Sequence, residues 1–157
     1  MKSILTNIIV AIMLAMTSIN AQAQKNPFDK FSDYKDVTYI YISKTMLKLV
    51  GTTAIPSING IDIKEIGSKL NSIQIITSEK SSKKSLKTEA LSIIKKDSYE
   101  KIMQVSEEDN KVDIYFKEDK KGSIIVMVND EKDSTVLIVF SGNFSMANIL
   151  KMIGSEQ

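Results

Sequence analysis

The chain of 157 residues has no cysteine, no histidine and no tryptophan, and all 21 of its basic residues are lysine. Each absence closes off some chemistry. Without cysteine or histidine there is no thiolate nucleophile, no imidazole base and none of the common zinc ligand sets. Without cysteine an exported domain gains no disulfides, so its stability must come from packing. Without arginine, the planar fork that grips phosphates and carboxylates in two places at once is missing. Lysines number 21 against 19 acidic residues and the two signs are interleaved, which argues against nucleic acid as a partner.

The first residues are set apart from the fold. Lys2 precedes an apolar run from Ile4 to Met16, and Ala21-Gln22-Ala23 supplies the small-x-small pattern of a signal-peptidase site. Residues 1–23 are therefore expected to be a signal peptide, cleaved after Ala23, that sends the chain to the periplasm or the medium. The competing reading is a retained membrane anchor; the run is short for that, and no second long apolar run follows. No cysteine stands at the cleavage site to carry a lipid. Residues 24–157 have the length of a single domain with its own core.

Within that domain the patterns change from mixed to purely strand-like. Phe28, Phe31 and Tyr34 recur every three residues in a polar background, as in a short helical turn that lays aromatics on the domain as a core lid; the sharper alternative is a recognition patch. Val37 to Ile42 reads as a strand. Ser43 is placed to cap a helix carrying Met46, Leu47 and Val50, with Gly51 as its stop. A loop with Pro56 runs from Thr52 to Gly60. Asp62 with Glu65 then has the form of a capping box, and Ile63, Ile66 and Leu70 fall on one helical face. Ser72 to Thr77 reads as a second strand, and Lys83 to Lys96 as a helix with Leu86, Ala90, Ile93 and Ile94 along one stripe. Because helices join the two early strands, a parallel pair with a right-handed crossover is the expectation if they share a sheet.

From Tyr99 onward four strand-like runs alternate with short polar turns: Tyr99 to Val105, Lys111 to Lys117, Ser123 to Val128 and Thr135 to Phe140. Such connections predict antiparallel hairpins. Val112, Ile114 and Phe116 alternate with polar neighbours, whereas Ile124 to Val128 and Val136 to Phe140 are apolar on both faces. The last two runs should be central, or covered on the second face by a helix or a partner. A final helix places Met146, Ile149, Leu150 and Ile153 at i, i+3, i+4 and i+7 behind an N-cap at Asn143 or Ser145. The expected architecture is α+β: a mainly antiparallel sheet with helices packed on one face.

Few residues invite a chemical role. Asp130, Glu131 and Asp133 come nearest to a calcium loop, but they lack the ordered ligand series and central glycine, and they read as a solvated hairpin turn. Gly122 and Gly142 read as turn residues. Lys80, Lys83, Lys84 and Lys87, with Lys95 and Lys96 at the helix end, could meet a polyanion; a solvated face is the simpler reading, and the last two suit the helix dipole. No catalytic, cofactor-binding or metal-binding residue is assigned.

The aromatic-rich segment after the leader, Val37-Thr-Tyr-Ile-Tyr-Ile-Ser-Lys44, Ile75-Ile-Thr-Ser-Glu79 and Gly142-Asn-Phe-Ser145 together resemble an uncharacterised family of exported Bacteroidetes proteins, a domain of unknown function. The resemblance implies an exported single-domain protein, often encoded near envelope regulators such as alternative sigma factors, and it transfers no catalytic residues. The resulting expectation is a non-enzymatic envelope protein that binds another macromolecule, in envelope sensing or surface attachment, through an envelope protein partner or self-association. The alternative is a carrier of a small apolar ligand or lipid held between sheet and helices. Eight methionines would suit an adaptable pocket, though Met46, Met127, Met146 and Met152 are more simply core. A carboxylate-based hydrolase ranks third.

Overall fold

The computed structural model describes residues 26–50, 67–79 and 82–154. The leader, the loop with Pro56, the capping-box segment from Asp62 to Ile66, and Lys80 lie outside the described residues. In chain order the elements are a 3-10 helix (Pro27–Asp33), β1 (Thr38–Ser43), α1 (Lys44–Val50), β2 (Leu70–Glu79), α2 (Lys83–Lys96), β3 (Glu100–Ser106), β4 (Asn110–Asp119), β5 (Gly122–Glu131), β6 (Ser134–Gly142) and α3 (Met146–Gly154).

All six strands share one open sheet in the order β1-β2-β6-β5-β4-β3, and every neighbouring pair is antiparallel. The hairpins of the second half form as their turns require. β5 and β6, apolar on both faces, are the two central strands, flanked by β4 and β2. The early strands join this sheet, but the parallel expectation for them is corrected: β1 and β2 are antiparallel, with Ser43 opposite Ser72. A helix in a connection does not force a crossover; here the chain re-enters the sheet at the end it left. α2 is the true crossover, carrying the chain from β2 to the far edge at β3 while the meander fills the space between.

Antiparallel partners point to the same side, so the register sorts the core into two faces. Ile73, Ile114, Phe116, Ile125, Met127, Ile138 and Phe140 form one face, against which Leu47 of α1, Phe144 and Ile149 of α3 are buried. Ile76, Tyr115, Val126, Val128, Leu137 and Val139 form the other, covered by Phe28 and Phe31 of the 3-10 helix and by Leu86, Ala90, Ile93 and Ile94 of α2. The sheet-dominated α+β fold is as expected, but the helices divide between two faces and do not share one. The reason is in the central strands: apolar side chains on both sides need cover on both.

Local expectations largely hold, with four corrections. The Ser43 hydroxyl accepts from the Met46 N–H at 3.3 Å. Ser145 is the N-cap of α3, and the Asn148 amide oxygen accepts from its N–H at 3.0 Å, the reciprocal half of a capping box. Phe28 and Phe31 are fully buried and eclipse one another at the three-residue repeat of a 3-10 helix, which makes this segment a lid. Leu70 belongs to β2 and not to a helix. Leu150 is exposed because the buried stripe of α3 runs through Met146 and Ile149. Met46, expected in the core, is also exposed, and the side chain of Met152 lies outside the described residues. Gly142 is a strand residue at a close approach: a Cβ there would sit 2.3 Å from the Lys69 carbonyl oxygen. Gly122 does serve a turn, with φ of +133°.

Candidate functional site

Two features of this architecture are open to a partner, and they meet at Tyr41. The first is the β1 edge. Thr38-Tyr39-Ile40-Tyr41-Ile42-Ser43 owes its strand conformation to β-branched and aromatic residues, and it contains no charge and no proline. Its Tyr39 and Tyr41 stand on the lid side of the sheet and its Ile40 and Ile42 on the other, since they pair with Ile76, Gln74, Ile75 and Ile73 in turn. Ile42 packs partly into the core, while Ile40 is 46% and Tyr41 55% exposed. In α1, Leu47 anchors the helix to the core and turns Met46 and Leu49 outward, Leu49 to 78% exposure. Ile40, Tyr41, Met46 and Leu49 are thus four exposed large apolar side chains on one edge strand and the helix that follows it, Ile40 and Tyr41 on opposite sides of the sheet.

The second feature is a groove of about 600 Å³ across the lid-side end of the sheet, bordered by Tyr41, Asp29, Gln74, Tyr99, Lys117 and Asp119 among others. Gln74 is buried in the middle of an otherwise apolar strand segment, and its amide N–H donates to the Asp29 carboxylate. Asn26 ties the start of the lid to β6 by donating to the Ser141 hydroxyl at 3.1 Å. α2 ends with Ser98 in the left-handed region at φ 57°, and the Tyr99 N–H then donates to the Ile94 carbonyl at 3.0 Å, which turns the Tyr99 ring beneath Lys117, whose ammonium lies 5.4 Å from the ring centre. Burial pushes the Tyr99 phenol far up, with Asp97 and Asp119 adding to the shift. Burial, followed by Asp29 and Tyr41, pushes Tyr39 up to about 12. Both phenols keep their protons at neutral pH, so neither supplies a phenolate base or nucleophile there.

The other sequence candidates are already engaged or dispersed. Asp130 accepts from Lys87 and from the Thr135 hydroxyl, and Glu131 accepts from Asn129 at 3.0 Å and Ser134 at 3.1 Å. Their hairpin is thus closed by side-chain bonds, with Asp133 at its tip. Among the described residues no group of three or more acidic side chains is placed to hold a metal ion. The lysine row is broken as well: Lys87 folds onto Asp130, Lys84 and the helix-end Lys95 and Lys96 are exposed, and the side chains of Lys80 and Lys83 lie outside the described residues. Sequence reasoning missed the groove altogether. Its legible sign was Gln74, which with Ser72 and Ser78 makes the lid-side face of β2 polar around Ile76.

An open six-stranded antiparallel sheet with its helices on both faces, one edge left unpaired among the described residues and a polar groove at one end, defines the class of this domain. The chain belongs to the family described as a domain of unknown function (DUF4252), whose match spans residues 31–152. No curated protein and no solved structure matches it.

Proposed function

We propose that this is an exported, non-enzymatic envelope protein, periplasmic or secreted, that binds a protein partner through its β1 edge, in envelope sensing or surface attachment. The observation that carries the reading is the uncharged, exposed edge strand, flanked by Met46 and Leu49. An edge strand offers a row of unpaired N–H and C=O groups, and proteins that do not use such a row guard it. Export rests on the leader sequence from Lys2 to Ala23. The non-enzymatic part rests on the missing histidine and cysteine and on the Tyr99 phenol at the groove, which burial holds in its neutral form. The lipid-carrier alternative is less well supported, because Leu86, Ala90, Val126, Leu137 and Val139 fill the described space between α2 and the sheet and the groove is lined largely by polar side chains.

Lysine-directed cross-linking in intact cells, followed by mass spectrometry of the captured species, tests this. The expected result is one dominant envelope species linked through Lys44 or Lys48, which Ile40→Lys abolishes. Capture that is unchanged by Ile40→Lys would sink the reading, as would recovery of uncross-linked monomer alone.

A further inference from the structure

We propose that the polar groove at the lid-side end of the sheet binds a short neutral oligosaccharide, held by Gln74, Tyr99 and the carboxylates around them, with the Tyr41 ring as a stacking surface. The strand register lays out the groove. Lys117 of β4, Ile124 of β5, Ser141 of β6 and Ser72 of β2 stand opposite one another in a row across four strands, so their side chains share the lid side of the sheet. In the next row on that face Tyr115, Val126 and Val139 are buried, and Gln74 continues the row at 1% exposure. Its amide N–H donates to Asp29, but its Oε1 has no hydrogen-bond partner among the described residues. The Tyr99 hydroxyl is likewise unpartnered among them, in a residue only 9% exposed. Both residues border the groove. Buried polar atoms rarely go without partners, and two of them at one groove mark where the hydrogen-bonding groups of a ligand complete the set.

The wall residues select the chemistry of that ligand. An amide oxygen only accepts, so the ligand must bring an O–H or N–H to Gln74. Burial keeps the Tyr99 phenol protonated, which leaves it able to donate and to accept. Asp29, Asp97 and Asp119 are set against Lys117 and Lys121, a near balance of charge that favours neither a polyanion nor a polycation. With no arginine in the chain, a phosphate or carboxylate also lacks its bidentate partner. A sugar hydroxyl donates and accepts at once, and so suits a wall that mixes carboxylate acceptors with ammonium donors. The weakly positive C–H face of a sugar ring in turn suits the negative face of an aromatic ring, and the Tyr41 ring at the groove is 55% exposed. The groove volume of about 600 Å³ falls within the about 300–1,000 Å³ of small-ligand sites. This site is separate from a contact along the β1 backbone, although Tyr41 borders both.

Saturation-transfer NMR and titration calorimetry on the full chain test this. The probes are neutral trisaccharides of glucose, mannose, galactose, xylose and N-acetylglucosamine, with trigalacturonate and spermidine as charged comparisons. The expected result is binding of at least one neutral trisaccharide, tighter than either charged probe, with saturation strongest at ring C–H protons. Tyr99→Phe removes the unpartnered hydroxyl and keeps the ring beneath Lys117. It should weaken the trisaccharide about tenfold without lowering the urea midpoint, because the fold loses no hydrogen bond. Tyr41→Ala should abolish the transfer to ring protons. Ile40→Lys lies on the other side of the sheet and should leave binding unchanged. Silence from every neutral trisaccharide, a charged probe that binds as tightly as any neutral one, or an affinity that neither Tyr99→Phe nor Tyr41→Ala alters would each overturn the proposal. The edge reading fails separately: in-cell capture answers to Ile40→Lys and not to Tyr99→Phe, and trisaccharide binding answers the other way round.

Discussion

β3 and β1 close the two sides of the same sheet, yet they are finished differently. β3 carries Glu100, Lys101 and Gln104, its register is shifted between Lys101 and Met103, and Lys101 reaches across to Asp113 at 3.0 Å. Charge, irregularity and a cross-strand ion pair are the usual means by which an edge is kept from pairing further. β1 has none of them: its ladder with β2 is regular, its six side chains are uncharged, and Ile40 and Tyr41 stand exposed. The two edges belong to one sheet, so the difference lies in side-chain choice, and on the reading proposed above it leaves β1 as the edge for a partner.

The largest test of this contrast removes what holds the β1 side in place. Phe31→Ala, in the lid over the face that receives Tyr39, should cost about 3–5 kcal/mol in urea unfolding. Hydrogen exchange should then quicken in β1 and β2 before β3; equal loss at both edges would show that the lid supports the whole sheet alike. A second test uses pH. The raised pKa of Tyr39 means that the folded state favours the neutral phenol, so its contribution is fully present below pH 10.0 and is lost as pH rises through about 12. Exchange protection in β1 should fall over that window, and Tyr39→Phe should flatten the decline.

Removing the guard from β3 is the converse experiment. Glu100→Val with Gln104→Val gives that strand an apolar, uncharged character like that of β1, and concentration-dependent light scattering beyond that of the unmodified chain should follow. The smallest effect is expected from Lys101→Ala. Its side chain is 40% exposed, and Lys111 remains 3.5 Å from Asp113, so the loss in unfolding free energy should be about 0.2–1 kcal/mol. A much larger loss would mean that the pair holds β3 in place as well as guarding it.

The meander was legible because local signals carried it: polar turns between β-branched runs leave each strand a neighbour to pair with. The same holds for α2, whose four predicted stripe residues are all buried, and for the aromatic lid. The orientation of β1 against β2 was not legible, since it depends on which end of the sheet the chain re-enters. Nor was the groove, assembled from Asp29, Gln74, Tyr99, and Lys117 with Asp119 on four separate stretches of chain. Met46 and Leu150 show the same limit on a smaller scale: helical periodicity names an apolar stripe, but contact with the sheet decides which border of the stripe is buried.

Composition and short-range periodicity are properties of the chain alone, and they were enough for an α+β domain with a central pair of doubly apolar strands and for excluding catalysis by histidine or cysteine. Packing settled the rest: helices cover both faces, β1 lies outermost beside β2 among the described residues, and Ile40 and Tyr41 are its exposed large apolar side chains. An edge exists only once every other strand has found its partner.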